Sequence, residues 1–244
     1  MQNRISLDNI SIVLLDTKTP ANIGATARGM MNMGLSRLVL VDPPADSSHE
    51  AKKLAAGADS ILDQAERFLT LKEAVADYGL VFGTSRHKGR LRKNIQTPRE
   101  AAQAIIPLLS KNKVAIVFGN EVNGLTRDDL SLCNEIIAIP SSNSFPSLNL
   151  SHAVMVMAYE LFLASQAHGL PMAKELAPVK IIEDFYQHLQ TTLMQIDFLN
   201  KNEAERMMFT LRQLFGRSRL GQRDVAVLRG ILSAIERAAG KSKK

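Results

Sequence analysis

The sequence predicts an α/β fold, a parallel sheet with helices on both faces, followed by a small all-helical extension. Three observations carry that prediction. Short apolar, β-branched runs alternate with helical stretches over about the first 165 residues, the pattern of consecutive strand–helix units. The run from Ile136 to Ile139 leads into Pro140-Ser141-Ser142-Asn143-Ser144-Phe145-Pro146-Ser147-Leu148-Asn149, then into an apolar stretch ending at Leu163. A buried strand thus ends in a loop that cannot be helical, because Pro breaks helix and Ser and Asn compete for the backbone. Open parallel sheets hold their ligands at such strand ends. Beyond Gly169-Leu170-Pro171 the strand signals stop.

In chain order, Ile10 to Leu15 reads as the first buried strand. Thr19-Pro20 starts a helix, with Thr as cap and Pro at the first helical position. Ile23, Ala27, Met30 and Met31 give that helix its core face. Ala21, Gly24, Ala25 and Arg28 fall on a second stripe, where small residues leave room beside one guanidinium. Arg37 to Val41 is the next strand, and residues 48–57 and 64–76 read as helices. Gly79 to Gly83 is a strand running into Thr84-Ser85, and Pro98 opens a helix through Ile106. Lys113 to Phe118 is a strand, with a helix from near Thr126. Leu150, Val154, Met157, Ala158 and Leu161 mark the buried face of the helix after the Ser/Pro loop.

These signals divide the chain into a sheet domain, 1–167, a linker, 168–178, and a helical extension, 179–244. In the extension Ile181, Ile182, Phe185, Leu189 and Leu193 repeat at helical spacing. So do Met207, Leu211, Leu214 and Phe215, and then Val225, Leu228, Ile231, Leu232 and Ile235. Gly240 to Lys244 reads as a frayed end.

Cys133 is the sole cysteine, which excludes an internal disulfide or a thiolate metal cluster within one chain. No stretch reaches the apolar length of a membrane span. The segment Met1 to Ser6 lacks a secretion-signal pattern, so the expected compartment is the cytoplasm. The formal charge is +6, and it is unevenly placed. Residues 1–168 carry 17 Lys and Arg against 16 Asp and Glu, whereas residues 201–244 carry 11 against 4. A second excess lies in Arg86-His87-Lys88-Gly89-Arg90-Leu91-Arg92-Lys93, with five basic residues in eight. Two separated basic patches point to a polyanion, of which nucleic acid is the commonest.

Several site chemistries are missing. No Gly-x-Gly-x-x-Gly follows the first strand, and Gly240-Lys241-Ser242 lacks the upstream glycine and strand of a phosphate loop. His49, His87, His152, His168 and His188 include no pair at ligand spacing, so no metal is expected. What remains is three strand-end loops: Gly83-Thr84-Ser85, Gly119 to Gly124, and Ser144 to Asn149. Glycines there let main-chain donors and acceptors approach a ligand such as an adenosine.

Three of these segments carry a family resemblance. Asn22-Ile23-Gly24-Ala25-Thr26-Ala27-Arg28, Phe118-Gly119-Asn120-Glu121-Val122-Asn123-Gly124-Leu125 and Ser147-Leu148-Asn149-Leu150-Ser151 resemble the three motifs of the SPOUT-class RNA 2′-O-ribose methyltransferases. The helical tail is similar to that of the bacterial TrmJ tRNA methyltransferases. The resemblance implies a SPOUT domain with a C-terminal trefoil knot, an S-adenosylmethionine site within it, a homodimer, and a tRNA substrate methylated on the ribose of nucleotide 32. By matching position, Thr84, Ser85 and Arg86, then Gly119, then Ile139, Pro146, Ser147 and Leu148 would hold the cofactor. Arg28 falls at the catalytic position with Asn22 beside it, and Glu121 matches an acid that braces the knot. Lys88, Arg90, Arg92, Lys93, Arg217, Arg219 and Arg223 are the candidate RNA contacts. Three positions depart from the pattern: Asn120 and Asn123 replace basic or apolar residues, Pro146 stands where serine is common, and Arg86-His87 precedes the expected arginine position.

Transfer from a sulfonium is an in-line displacement, so catalysis consists mainly of holding the ribose hydroxyl against the methyl. A guanidinium seldom surrenders its proton. Arg28 is therefore expected to fix the adjacent phosphate and stabilise the developing oxyanion. Two alternatives remain open on sequence: an RNA-binding homologue without catalysis, and an unknotted nucleotide-binding α/β enzyme.

Overall fold

The computed structural model describes residues 6–44, 48–85, 95–166, 174–200, 203–216 and 218–242. Its strands are β1 (Ile10–Leu15), β2 (Arg37–Val41), β3 (Glu66–Phe68), β4 (Leu80–Thr84), β5 (Ile95–Gln96), β6 (Val114–Phe118) and β7 (Glu135–Ile137). They form one sheet in the order β3-β2-β1-β6-β4-β7-β5, and every pairing is parallel. The central strands read as unbroken apolar runs because both faces are covered. Alternation then sorts their side chains. Ile12, Leu14, Leu38, Leu40, Phe82, Ile116 and Phe118 face one core, and Val13, Val39, Val41, Val81 and Val117 face the other.

The first face is covered by α1 (Pro20–Asn32), α2 (Ser48–Ala55), α3 (Asp59–Asp63), α5 (Pro98–Ile105) and α7 (Leu150–Ala164). The second is covered by α4 (Leu71–Ala74) and α6 (Arg127–Ser131). Thr70, Thr97 and Thr126 each close a reciprocal capping box with the acidic residue three places on, which sets the starts of α4, α5 and α6.

Four local expectations are corrected. Residues 64–76 hold the edge strand β3 and the short α4 rather than one helix, because Val39, Leu40 and Val41 offer a free sheet edge that a weak helical pattern does not outweigh. Thr19 occupies the cap position of α1, yet its side chain makes no capping hydrogen bond. Met31 is exposed, whereas Ile23, Ala27 and Met30 are buried. The small stripe of α1 serves helix packing: a Cβ on Gly24 would sit 1.9 Å from the Ala51 carbonyl oxygen of α2. The two-residue β5 had no sequence signal.

The tail forms α8 (Val179–Gln195), α9 (Ala204–Gly216) and α10 (Gln222–Ser242) around its own apolar cluster of Phe185, Tyr186, Leu189, Leu199, Met208, Val225 and Leu232. Phe185 packs edge-on against Phe215 with ring centroids 5.4 Å apart. In α9 Ala204, Met208 and Gln213 are buried, while Met207 and Leu214 face outward. The last helix continues to Ser242, past the glycine where fraying was expected. Residues 174–178 form no regular element but are pinned: the Leu176 N–H donates to Asn112 Oδ1 (2.7 Å) and the Ala177 N–H to the Leu220 carbonyl (2.9 Å).

Candidate functional site

Strands β6, β4 and β7 are neighbours and run parallel, so their carboxyl ends at Phe118, Thr84 and Ile137 open on the same edge of the sheet. Three loops leave that edge. After β6 the chain folds back on itself, with Gly124 N–H donating to the Asn120 carbonyl (3.0 Å) and Gly124 at φ 69°. A Cβ on Gly119 would meet the Gly124 carbonyl carbon at 2.2 Å, so glycine is required by the loop's own backbone. After β7 the Ser141 hydroxyl donates to the Pro146 carbonyl (3.0 Å), and Asn149 caps α7 by accepting from the Ser151 and His152 N–H groups (2.9 and 3.4 Å). After β4 the Thr84 hydroxyl donates to the Val117 carbonyl (3.0 Å), and the Ser85 N–H donates to the Ile137 carbonyl (2.9 Å).

Between these loops lies a solvent-open cleft with a cavity of about 150 Å³. Its walls bring together Thr84, Ser85, Gly119, Ile139, Pro146, Ser147 and Leu148. Phe118, Leu125, Ile137, Leu150 and Ala153 add apolar surface that the motifs alone did not indicate. Arg86, the remaining cofactor candidate, lies outside the described residues.

A directional hydrogen-bond relay ties the start of α1 to the loops after β6 and β7. Glu121 Oε1 accepts from Asn22 Nδ2 (2.7 Å) and Glu121 Oε2 from the Lys18 N–H (3.1 Å). The Asn22 amide is thereby oriented with its oxygen outward, where it accepts from Asn149 Nδ2 (3.0 Å). Asn149 in turn must present its oxygen to α7. The polarity of two amides is thus set by a carboxylate at one end and a helix N-terminus at the other. Burial pushes the Glu121 carboxyl up, but the hydrogen bonds from Asn22 and the main chain outweigh it, and the group is held below its ordinary value of 4.5. Beside it Asn120 Nδ2 donates to Asp16 Oδ2 (2.9 Å), while Asn120 Oδ1 accepts from the Val122 and Asn123 N–H groups (3.0 and 2.7 Å). Asp16 also pairs with Lys18, the main cause of its lowered pKa. Asn120 and Asn123, which departed from the motif pattern, are therefore part of the loop's own closure. Asn149 carried a readable signal, since Asn immediately before an apolar helical run is a cap.

Arg28 is exposed on α1 and makes no hydrogen bond or ion pair among the described residues. It lies about 9 Å along the helix axis from Asn22 and is not among the residues lining the cleft. Of the RNA candidates, Lys88, Arg90, Arg92, Lys93 and Arg217 lie outside the described residues. Arg223 is exposed at the start of α10. Arg219 is engaged within the protein: its Nε and Nη2 donate to Glu135 Oε1 (3.0 and 2.7 Å), and Glu135 is buried. The described residues include no group of three or more His, Cys, Asp or Glu able to hold a metal ion.

Comparison with known proteins agrees in both halves of the chain. Residues 9–159 match the model of the SpoU rRNA Methylase family, and residues 180–244 match that of the tRNA methyltransferase TrmJ C-terminal domain. The chain is 40% identical over 246 residues to the tRNA (cytidine/uridine/adenosine-2′-O-)-methyltransferase TrmJ of Pseudomonas aeruginosa (strain UCBPP-PA14), covering 96% of each. It is 39% identical over 236 residues to the tRNA (cytidine/uridine-2′-O-)-methyltransferase TrmJ of Salmonella typhimurium, covering 94% of this chain and 97% of that one. The crystal structure of TrmJ from Z. mobilis ZM4 superposes with a TM-score of 0.80 at 35% identity, over 93% of this chain and 98% of that one. A parallel sheet whose three strand-end loops converge on one cleft, matched over more than nine-tenths of the chain by these relatives, places the chain in the SpoU methylase family, among its members that carry a TrmJ-type C-terminal domain.

Proposed function

We propose that the protein transfers a methyl group from S-adenosylmethionine to a ribose 2′-oxygen of tRNA, at nucleotide 32 of the anticodon loop, as a homodimer with a knotted SPOUT domain and a helical RNA-binding tail. The observation that carries this reading is the convergence of the β4, β6 and β7 loops on one cleft lined by apolar residues such as Phe118, Leu125, Ile137, Ile139 and Leu148 together with polar Thr84, Ser85, Asn120, Glu121, Asn123 and Ser147. Such walls suit an adenosine: the ring lies between aliphatic groups, and its edge is read by backbone donors and acceptors of 119–125 and 147–148. When bound, the cofactor supplies a methyl already activated by its sulfonium.

The chain's residues supply position and charge. Thr84, Ser85, Gly119, Ile139, Pro146, Ser147 and Leu148 form the holding walls. Asn22 keeps the α1 start against the Glu121 and Asn149 loops. Arg28, without a hydrogen-bond or ion-pair partner among the described residues, offers a guanidinium fork to the phosphate beside the target ribose and stabilises the oxyanion that forms as the hydroxyl is consumed. Arg223 joins Lys88, Arg90, Arg92, Lys93 and Arg217 on the RNA backbone, whereas Arg219 is spent on Glu135. Support for a second copy comes from α7, where Val156, Tyr159 and Leu163, at helical spacing, leave an apolar stripe exposed.

Calorimetry with S-adenosylhomocysteine, NAD and ATP separates the ligand classes, and mass-spectrometric mapping of tRNA incubated with protein and methyl donor locates the product. Binding of S-adenosylhomocysteine alone and a 2′-O-methyl at nucleotide 32 are expected. Preference for NAD or ATP refutes the cofactor, and tRNA binding without methyl transfer leaves a non-catalytic RNA-binding protein.

A further inference from the structure

The tail has its own apolar cluster, and at its start Leu176 and Val179 are buried in the two cores of the sheet domain. Across that junction Arg127 lies 4.5 Å over the Phe209 ring, the Val179 N–H donates to the Tyr78 carbonyl (2.9 Å), and Arg219 meets Glu135. The last of these is unlike the others. Glu135 is buried at the start of β7, next to Asn134, whose Oδ1 accepts from the Val81 N–H (2.7 Å) and whose N–H donates to the Val81 carbonyl (2.7 Å). That double link to β4 fixes where the carboxylate stands. Both of its oxygens are used: Oε1 takes the Arg219 fork and Oε2 accepts from Gln96 Nε2 of β5. Arg219 itself sits at φ 45°, a left-handed backbone that glycine normally fills, in the turn between α9 and α10. The next two residues lock the start of α10. The Leu220 carbonyl accepts from Ala177, and the Gly221 N–H donates to Asp224 Oδ2 (2.9 Å), which pairs with Lys174 at 2.7 Å.

We propose that Glu135 and Arg219 are positioning residues for tRNA recognition: their pair, buried on the Glu135 side and half-buried on the Arg219 side, registers the tail on the sheet domain, so that Arg223 and the rest of α10 stand at a set place relative to the cleft. The inference rests on the tRNA reading above. A buried ion pair contributes little net stability because desolvation offsets attraction, so its role here is to choose one docking geometry.

Glu135→Gln in the full-length chain separates position from charge. The substitution raises the net charge by one, which by electrostatics alone tightens binding to a polyanion. A positioning role predicts the opposite: tRNA affinity and kcat/KM for tRNA fall about tenfold, while kcat at saturating tRNA and the affinity for S-adenosylhomocysteine stay within about twofold. Arg219→Lys, which keeps the charge and loses the fork, is expected to match it, and the double variant to be no worse than either single one. Unchanged or tighter tRNA binding by a cooperatively folded Glu135→Gln chain overturns the inference. Should that chain fail to fold, unchanged tRNA binding by Arg219→Lys does so instead. A wild-type chain that binds no tRNA overturns the functional reading, and this inference with it.

Discussion

Glu121→Gln tests the relay that joins the three motifs. The carboxylate accepts twice, from Asn22 Nδ2 at 2.7 Å and from the Lys18 N–H at 3.1 Å. An amide of nearly the same shape offers one acceptor and one donor, so in either orientation an N–H confronts an N–H. One charge-assisted bond is lost and the other is weakened. Bonds to ionised groups contribute about 1.5–3 kcal/mol, and the partial exposure of Glu121 sets the expectation at the lower end, about 1.5–2 kcal/mol. For a chain of this size that lowers Tm by roughly 3–8 °C. Asn22 is also released from its enforced orientation, which loosens Asn149 and the Ser147–Leu148 wall. The affinity for S-adenosylhomocysteine should then fall roughly fivefold, or ~1 kcal/mol. Chemical denaturation and calorimetry measure the two effects. A variant within ~0.5 kcal/mol of wild type, with unaltered affinity, would mean that the carboxylate does not polarise the relay.

Arg28→Ala should abolish methyl transfer with S-adenosylhomocysteine affinity within about twofold; equal loss of both, by calorimetry and a radiolabelled-methyl assay, would make Arg28 part of the cofactor site. Gly119→Ala forces a methyl to within 2.2 Å of the Gly124 carbonyl carbon and should cost about 2–3 kcal/mol by denaturation. Gly124→Ala meets open space at φ 69° and should cost only about 1 kcal/mol; the reverse ranking would contradict the loop geometry. Glu121 and Asp16 are both held below their ordinary values of 4.5 and 3.8. Carboxyls depressed on folding stabilise above those values and lose that contribution as pH falls through the lower folded ones. Stability should therefore be insensitive to these groups at neutral pH and decline below about pH 4.5, less steeply in Glu121→Gln, as followed by far-UV circular dichroism. Arg223→Gln should weaken tRNA binding and lower the slope of log K against log salt by about one; an unchanged slope removes it from the interface.

Much of the fold was legible because it rests on local pattern. The apolar runs at Ile10, Arg37 and Val114 and the prolines Pro20 and Pro98 at helix starts announce their elements through backbone and side-chain chemistry within a few residues. The motif segments were legible too, as residues that could belong to one site. Tertiary structure alone decided what each is for. Gly24 and Gly119 read as room for a ligand or a guanidinium, but their missing side chains are claimed by the Ala51 carbonyl and the Gly124 backbone. Asn22, Glu121 and Asn149 lie up to 127 residues apart, and the polarity of their relay exists only where the strand ends meet. Residues Glu66–Phe68 became a strand because a sheet edge stood free beside them. Arg219 read as one more basic residue until a buried carboxylate 84 positions earlier claimed it. Periodicity and propensity act along the chain, whereas charge pairing, close approach and edge pairing depend on distances that only folding creates.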